Sequence, residues 1–178
     1  MNEKTMKHII TALVTNRSGV LTRISGLFAR RGYNIDSLSV CNTNNPDMSR
    51  MTIVALGTDD EINQIVRQLD KLWDCHKIRV LKPNECVKRE LLLIKVSVPA
   101  EKRPEVESTA NMMKVKFIDV GASSVTCEMT GEPNKIDKFI ELMQPYGILE
   151  LARTGITALS RGEEILDDLT DYNEEISR

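Results

Sequence analysis

The sequence predicts an α+β protein made of two ferredoxin-like βαββαβ units in tandem. The order strand, helix, strand, strand, helix, strand occurs twice along the 178 residues. Short β-branched runs predict the strands, and apolar residues at helical spacing lie between them. A polar, proline-containing segment separates the two copies. A composition of 41% hydrophobic and 28% charged residues fits a globular chain with room for two small domains.

The first unit begins with the run HIITALV at 8–14, which is typical of a strand buried on both faces. A helix should follow, because apolar residues recur on one face. These residues are Val20, Leu21, Ile24, Leu27 and Phe28. Arg30 and Arg31 suit the negative end of the helix dipole, and Gly32 can take the left-handed conformation that ends the helix.

Four more elements complete the first unit. They are predicted as strands over 33–40 and 50–57, a helix over 59–74 and a strand over 77–81. The two strands should form a hairpin, since Asn, Pro and Asp dominate the segment between them. Asp59 or Asp60 is the expected cap of the helix. Its apolar face should comprise Ile62, Ile65, Val66, Leu69, Leu72 and Trp73.

The second unit repeats the same order of elements. It is predicted as strand 90–98, helix 99–113, strands 115–120 and 123–131, helix 132–144 and strand 148–153. Pro104 and Pro133 fall near the starts of the helices, where proline is tolerated. In the fourth of these elements, Val125, Cys127 and Met129 alternate to one face.

These elements predict where the domains begin and end. We expect domains over 6–82 and 90–162, a linker over 83–89 and an acidic tail over 163–178. The tail holds seven acidic residues and one arginine, which favours a solvated end over an interaction motif.

Each unit should cover only one face of its sheet with helices. Domains of this size are marginal alone, so we expect oligomerisation, through sheets paired edge to edge or packed face to face. The alternative is that the two halves pack only on each other. Apolar runs far shorter than the roughly 20 residues of a membrane span, and an N-terminus without a signal-peptide pattern, predict a cytoplasmic protein with no membrane partner.

The sequence shows no constellation that would carry catalysis. It has neither a GxGxxG nor a GxxxxGK[ST] loop, and His8 and His76 are expected at the surface or at a sheet edge. The four cysteines have neither metal-ligand nor redox spacing, which indicates reduced packing thiols and no metal site. Only 4% of the residues are aromatic, so a sheet that stacks RNA bases, and with it a nucleic-acid partner, is disfavoured.

The segment NRSG at 16–19 is the one candidate for ligand binding. Ser18 or Asn16 can cap the following helix, which leaves further N–H groups of its first turn unpaired. Such a helix start attracts a carboxylate or a phosphate. Gly19 has no Cβ, so a ligand can approach the backbone closely.

Four stretches of the sequence together resemble one known family. They are NRSGVLTRISGLFARRGYNIDSLSV from residue 16, MSRMTIVALG from 48, VKRELLLIKV from 87 and ARTGITALSRG from 152. The chain resembles the small regulatory subunit of acetolactate synthase (acetohydroxyacid synthase), a family whose N-terminal half is an ACT domain. The likeness covers residues 6–162 and leaves out the tail.

The resemblance implies a non-catalytic protein bound to a separate large catalytic subunit. In the family that subunit carries thiamine diphosphate, Mg²⁺ and usually FAD, and it condenses pyruvate with a second 2-ketoacid in branched-chain amino-acid synthesis. The small subunit raises its activity and confers feedback inhibition, chiefly by valine. The resemblance thus implies no cofactor in this chain itself.

The resemblance also implies an effector site between two chains. In the family, two ACT domains pair into a continuous sheet, and the amino acid lies at their interface. Carried over by motif, the site comprises Asn16, Gly19, Val20 and Leu21 of one chain with Asn34 and Ile35 of its partner. The alternative is a free-standing amino-acid-sensing ACT protein that regulates another partner; an enzyme and an RNA-binding protein rank below it.

Overall fold

The computed structural model describes residues 5–166. The described chain divides into two compact units, and the first contains residues 5–87 together with residues 158–166. The second unit comprises Lys88–Thr157. In the described part of the chain, no helix has the length and apolar character needed to cross a membrane.

The first unit is a four-stranded antiparallel sheet with two helices packed on one face. Its elements are β1 (Met6–Thr15), α1 (Val20–Arg30), β2 (Ile35–Asn42), β3 (Met48–Gly57), α2 (Asp59–Leu69) and β4 (Cys75–Leu81). The strand order is β2-β3-β1-β4, so β2 and β4 are the edges. The core lies between sheet and helices, where Ile10 of β1 meets Phe28 of α1 and Ile65 of α2.

The second unit has the same topology. Its elements are β5 (Cys86–Ser97), α3 (Arg103–Met113), β6 (Lys116–Val120), β7 (Ser124–Gly131), α4 (Pro133–Met143) and β8 (Ile148–Arg153). Strand order β6-β7-β5-β8 repeats that of the first sheet, with a short β9 (Thr157–Ser160) also paired to β5. The prediction of two ferredoxin-like βαββαβ units in an α+β fold is confirmed.

The helix caps differ from those predicted. Gly19 is the N-cap of α1, in the left-handed conformation and without a side-chain cap bond, so neither Ser18 nor Asn16 caps the helix. The Asn16 side chain instead donates to the carbonyl oxygen of Pro46. For α2 the cap is Thr58, which accepts from the Glu61 N–H in a capping box, because it immediately precedes the helix.

Helix α2 ends five residues earlier than predicted. It stops at Leu69, and the turn bonds that follow, from Leu72 N–H to the Leu69 carbonyl and from Cys75 N–H to the Leu72 carbonyl, lead the chain into β4. Leu72 still packs against the core. Trp73 does not, because it lies beyond the helix with 65% of its surface exposed.

Strand β5 begins at Cys86, inside the segment predicted as a linker. Its side chains alternate between faces from that point, and Cys86 and Glu90 are buried. Residues 158–166 group with the first unit, although the predicted second domain extends to 162. Of the predicted acidic tail, residues 167–178 lie outside the described part of the chain.

The face of the first sheet that the helices leave open nevertheless contains several buried side chains. Its buried side chains are absent from the core cluster between sheet and helices. They include Ile9, Thr11, Thr52, Val54 and Leu81, each at most 6% exposed.

Residues 158–166, here called the return segment, lie against that face. Arg50 of β3 donates to the Ala158 carbonyl at 3.3 Å. Arg79 of β4 donates to the Ser160 hydroxyl at 3.3 Å and pairs with Glu164 at 2.6 Å. The return segment therefore covers part of the sheet face that we expected another chain or the second unit to cover.

Candidate functional site

The loop between β1 and α1 is tied to the turn between β2 and β3. The Asn16 N–H donates to the Asp47 carbonyl at 2.7 Å, and the Asn16 Nδ2 donates to the Pro46 carbonyl at 2.9 Å. Asn16 is itself exposed. These two bonds fix the loop while leaving the side-chain oxygen of Asn16 as an acceptor.

The start of α1 offers backbone donors. Gly19 has φ +87°, and a Cβ built there would find nothing nearer than Arg23 Nη2 at 3.8 Å. The N–H groups of Ser18, Gly19, Leu21 and Thr22 find no acceptor among residues 5–166. Because they lie at the positive end of the helix dipole, they form a seat suited to an anion.

Of the two predicted apolar residues here, the structure makes only Leu21 accessible. The Leu21 side chain is 47% exposed and can serve as an apolar wall. Val20 is 3% exposed and packs into the core of the first unit. Val20 can therefore offer its backbone to a ligand, while its side chain holds the helix on the sheet.

Asn34 and Ile35 lie at the opposite end of α1. The helix separates them from Gly19 by about 15 Å, from the rise of 1.5 Å per residue. Asn34 is exposed and has no hydrogen bond within the described residues. Ile35 opens the edge strand β2 and packs partly against the core. A single chain therefore does not bring these residues to Asn16 and Gly19.

Three residues that the sequence reading missed flank the same loop. Arg23 lies on α1, and its Nη1 is 3.2 Å from Asp74 Oδ2, while its guanidinium lies over the Trp73 ring at 5.4 Å. Asp74 also accepts the Thr15 N–H through its carbonyl. Because the sequence predicted a helix that ends with Trp73 and Asp74, it did not indicate that these residues contact Arg23.

We find no catalytic set among the titratable groups of residues 5–166. His8 Nε2 is 3.2 Å from the Gly57 carbonyl, and His76 Nε2 is 2.8 Å from the Thr15 hydroxyl. Burial, with Asp70 and Asp74 nearby, raises the pKa of Cys75 to about 12, and burial raises the pKa of Cys127 to about 11. Both thiols thus stay protonated near neutral pH. Residues 5–166 contain no cluster of His, Cys, Asp or Glu placed to hold a metal ion.

A separate pocket of about 330 Å³ lies beside β4 and the start of α2. Charges line it, but they are largely paired with each other: Arg79 with Glu164, and Lys82 with Glu85 at 3.3 Å. These two pairs leave Arg79 and Lys82 less free to bind an anionic ligand there.

Comparison with known proteins assigns both halves of the chain to one family. Residues 10–77 match the model of the AHAS small subunit-like ACT domain, and residues 89–162 match that of the small subunit of acetolactate synthase. The chain is 47% identical over 160 residues to the probable acetolactate synthase small subunit of Methanothermobacter thermautotrophicus, covering 89% of this chain and 95% of that one. It is 43% identical over 160 residues to the acetolactate synthase small subunit of Bacillus subtilis, covering 89% and 93%.

A solved structure agrees with this assignment. The acetolactate synthase small subunit of Thermotoga maritima superposes with a TM-score of 0.83 at 36% identity, covering 89% of this chain and 99% of that one. Identity at this level over nearly the whole length, together with the matches of both halves, establishes common descent. The chain belongs to the acetolactate synthase small subunit family.

Proposed function

We propose that this protein is the non-catalytic subunit that activates an acetolactate synthase large subunit and makes it sensitive to feedback inhibition by valine. The observation that carries the proposal is the start of α1. Among residues 5–166, the N–H groups of Ser18, Gly19, Leu21 and Thr22 have no acceptor, and the side chain of Leu21 on the same turn is exposed. The carboxylate of an amino acid would accept hydrogen bonds from these N–H groups, and an apolar side chain would contact Leu21.

The chemistry of each group suits a branched-chain amino acid. The carboxylate would accept the helix-start N–H bonds. The ammonium needs uncharged acceptors, which the oxygens of Asn16 and of Asn34 from a partner chain would supply without adding charge. The branched side chain would rest on Leu21 and on Ile35 from the partner.

The proposed site requires two chains paired through the first unit. Asn34 and Ile35 lie about 15 Å from Gly19 within one chain. Ile35 begins β2 and Asn34 precedes it. This edge strand has no neighbouring strand on its far side among residues 5–166. Pairing of the β2 edges of two chains would form a continuous sheet. An effector bound between chains would then change the equilibrium among quaternary states, and this change would alter the activity of the large subunit.

We assign thiamine diphosphate, Mg²⁺ and FAD to the large subunit and none of them to this chain. We also propose a cytoplasmic location. The four cysteines are unpaired, as a reducing compartment favours. The alternative function is a free-standing ACT protein that senses amino acids for another partner.

Valine binding by the purified chain tests the site. Thermal unfolding is followed with and without valine, leucine and isoleucine. At a valine concentration a hundredfold above the dissociation constant, the stabilisation should be about 2.7 kcal/mol. An unchanged transition with all three amino acids would contradict the effector site. Co-purification with a thiamine-diphosphate enzyme separates the proposed function from the free-standing sensor.

A further inference from the structure

Arg23 lies where a side-chain cation could meet a ligand at the start of α1. It is one helical turn beyond Gly19, whose carbonyl accepts the Arg23 N–H at 3.0 Å. Its Nη2 is the nearest atom to the position that a Cβ on Gly19 would occupy, at 3.8 Å. The guanidinium thus borders the same space as the unpaired backbone N–H groups.

The guanidinium is held from two sides. Asp74 Oδ2 contacts Nη1 at 3.2 Å, and the Trp73 ring covers one face with its centroid 5.4 Å from the guanidinium carbon. Nη2 has no acceptor within the part of the chain that the structure describes. Because a guanidinium is planar and carries five donors, one edge can bind Asp74 while another binds a second carboxylate.

Asp74 is suited to position Arg23. Its side chain is 3% exposed, and its backbone carbonyl accepts the Thr15 N–H at 2.8 Å, which fixes it to the end of β1. Its Oδ1 is buried without a hydrogen-bond partner among residues 5–166. Within the same residues, Arg23 is the one cation that pairs with the Asp74 carboxylate. A buried carboxylate without a cation is costly, which favours keeping Arg23 in place.

We propose that Arg23 binds the carboxylate of the amino-acid effector, and that Asp74 and Trp73 are the positioning residues that hold its guanidinium beside Gly19. This inference rests on the proposed function, because it adds a residue to the same site. The effector carboxylate would then be bound by two kinds of donor, the backbone N–H groups at the start of α1 and the side chain of Arg23.

Calorimetric titration of the full-length chain with L-valine and L-valinamide tests this role. Valinamide keeps the ammonium and the branched side chain but has no carboxylate. For Arg23→Gln we expect valine to bind at least about tenfold more weakly, the size of a lost charge-assisted bond. Valinamide affinity should change little, so the preference for valine over valinamide should shrink.

Arg67→Gln is the matched control. Arg67 lies in the last turn of α2 in the same unit and is exposed, so its replacement removes the same charge without touching the pair with Asp74. We expect its valine affinity to stay within about threefold of that of the unmodified chain, the scale of an exposed charge. If Arg23→Gln fails to fold because Asp74 loses its cation, Arg23→Lys keeps the charge and removes only the planar fork.

A double-variant cycle tests the positioning role. Asp74→Asn should weaken valine binding in the unmodified chain and should add no further loss to Arg23→Gln, because Asp74 acts through Arg23. A loss that adds in full would overturn the positioning role.

The outcomes separate this inference from the proposed function. If the unmodified chain binds none of valine, leucine and isoleucine, the proposed function is wrong and this inference with it. If it binds valine, but Arg23→Gln weakens valine and valinamide equally or weakens neither, Arg23 does not contact the carboxylate and the proposed function stands.

Discussion

At the scale of single residues, the conformation of Gly19 governs what the chain can offer a ligand. Its φ is +87°, and the nearest atom to the position that a Cβ would take is Arg23 Nη2 at 3.8 Å. Gly19 therefore begins α1 without a side chain of its own near the first N–H groups. The spacing of the apolar residues from Val20 was sufficient to predict that a helix begins beside Gly19. It could not predict Arg23 with Asp74, because residues 51 positions apart meet only through tertiary packing.

Gly19→Asp should abolish valine binding. The new side chain places a negative charge where the carboxylate would dock, and like charges repel in a partly desolvated site. Gly162→Asp is the control, since Gly162 also has positive φ, at +74°, with nothing within 4 Å. Both variants should lose about 1 kcal/mol of stability from the left-handed backbone. Retained valine sensitivity in Gly19→Asp would remove the helix start from the site.

Cys75 and Cys127 should resist thiol reagents in the native protein. Their raised pKa values, about 12 and about 11, keep them protonated, and the thiolate is the reactive form. We expect the native chain at pH 8 to react at Cys41 at most, because the other three cysteines are buried, and the unfolded chain to react at all four. Modification of Cys75 before unfolding would contradict this burial.

The same shifts predict how stability depends on pH. For both thiols the folded-state pKa lies above the usual 9.0, so their contribution is complete below pH 9. It declines as the pH rises from 9 towards 11 and 12, where the unfolded chain loses protons that the folded chain keeps.

At the scale of elements, the two units repeat one topology but differ where a ligand would bind. The start of α1 has no acidic residue in its first turn, whereas α3 has Glu105 in its first turn and Pro104 beside it. A carboxylate there disfavours a bound anion. Periodicity was sufficient to predict α1 and α2, because each has a clear apolar face, whereas α3 buries only Val106 and Ala110. It did not predict the end of α2, because Leu72 and Trp73 continue the spacing after the hydrogen bonds have stopped.

Thr58→Ala should destabilise the first unit by about 1 kcal/mol. Thr58 and Glu61 satisfy each other's backbone N–H at the start of α2, and loss of such a cap typically costs 0.5 to about 2 kcal/mol. Thr58→Ser keeps the hydroxyl and should stay near the unmodified chain in denaturant unfolding. Equal stability of the alanine and serine variants would show that the capping box contributes nothing.

At the scale of the whole molecule, the first unit is completed by residues distant in sequence. The SRMTI and TALSRG motifs, which helped to identify the family, meet through the bond from Arg50 to the Ala158 carbonyl. No periodicity could predict this contact, since the return segment is short and follows the whole second unit. The sequence correctly indicated that an open sheet face needs cover, but it did not indicate which residues supply part of it.

Substitutions in the return segment should reveal this cover. Ala158 is 1% exposed, whereas the adjacent Leu159 is 55% exposed. Ala158→Asp should lower the free energy of unfolding by about 2 to 4 kcal/mol, because it buries an unpaired charge. Leu159→Asp should change it by less than about 1 kcal/mol. Similar losses in both variants would mean that the segment does not pack as the structure describes.

Reconstitution with the large catalytic subunit tests whether this chain regulates acetolactate formation. Acetolactate formation is measured for the large subunit alone, for this chain alone and for the two together, each over a titration of valine. We predict no turnover by this chain alone, a higher rate for the complex than for the large subunit alone, and inhibition by valine that appears only in the complex. A complex whose rate and valine response equal those of the large subunit alone would show that this chain is not the regulatory subunit of that enzyme.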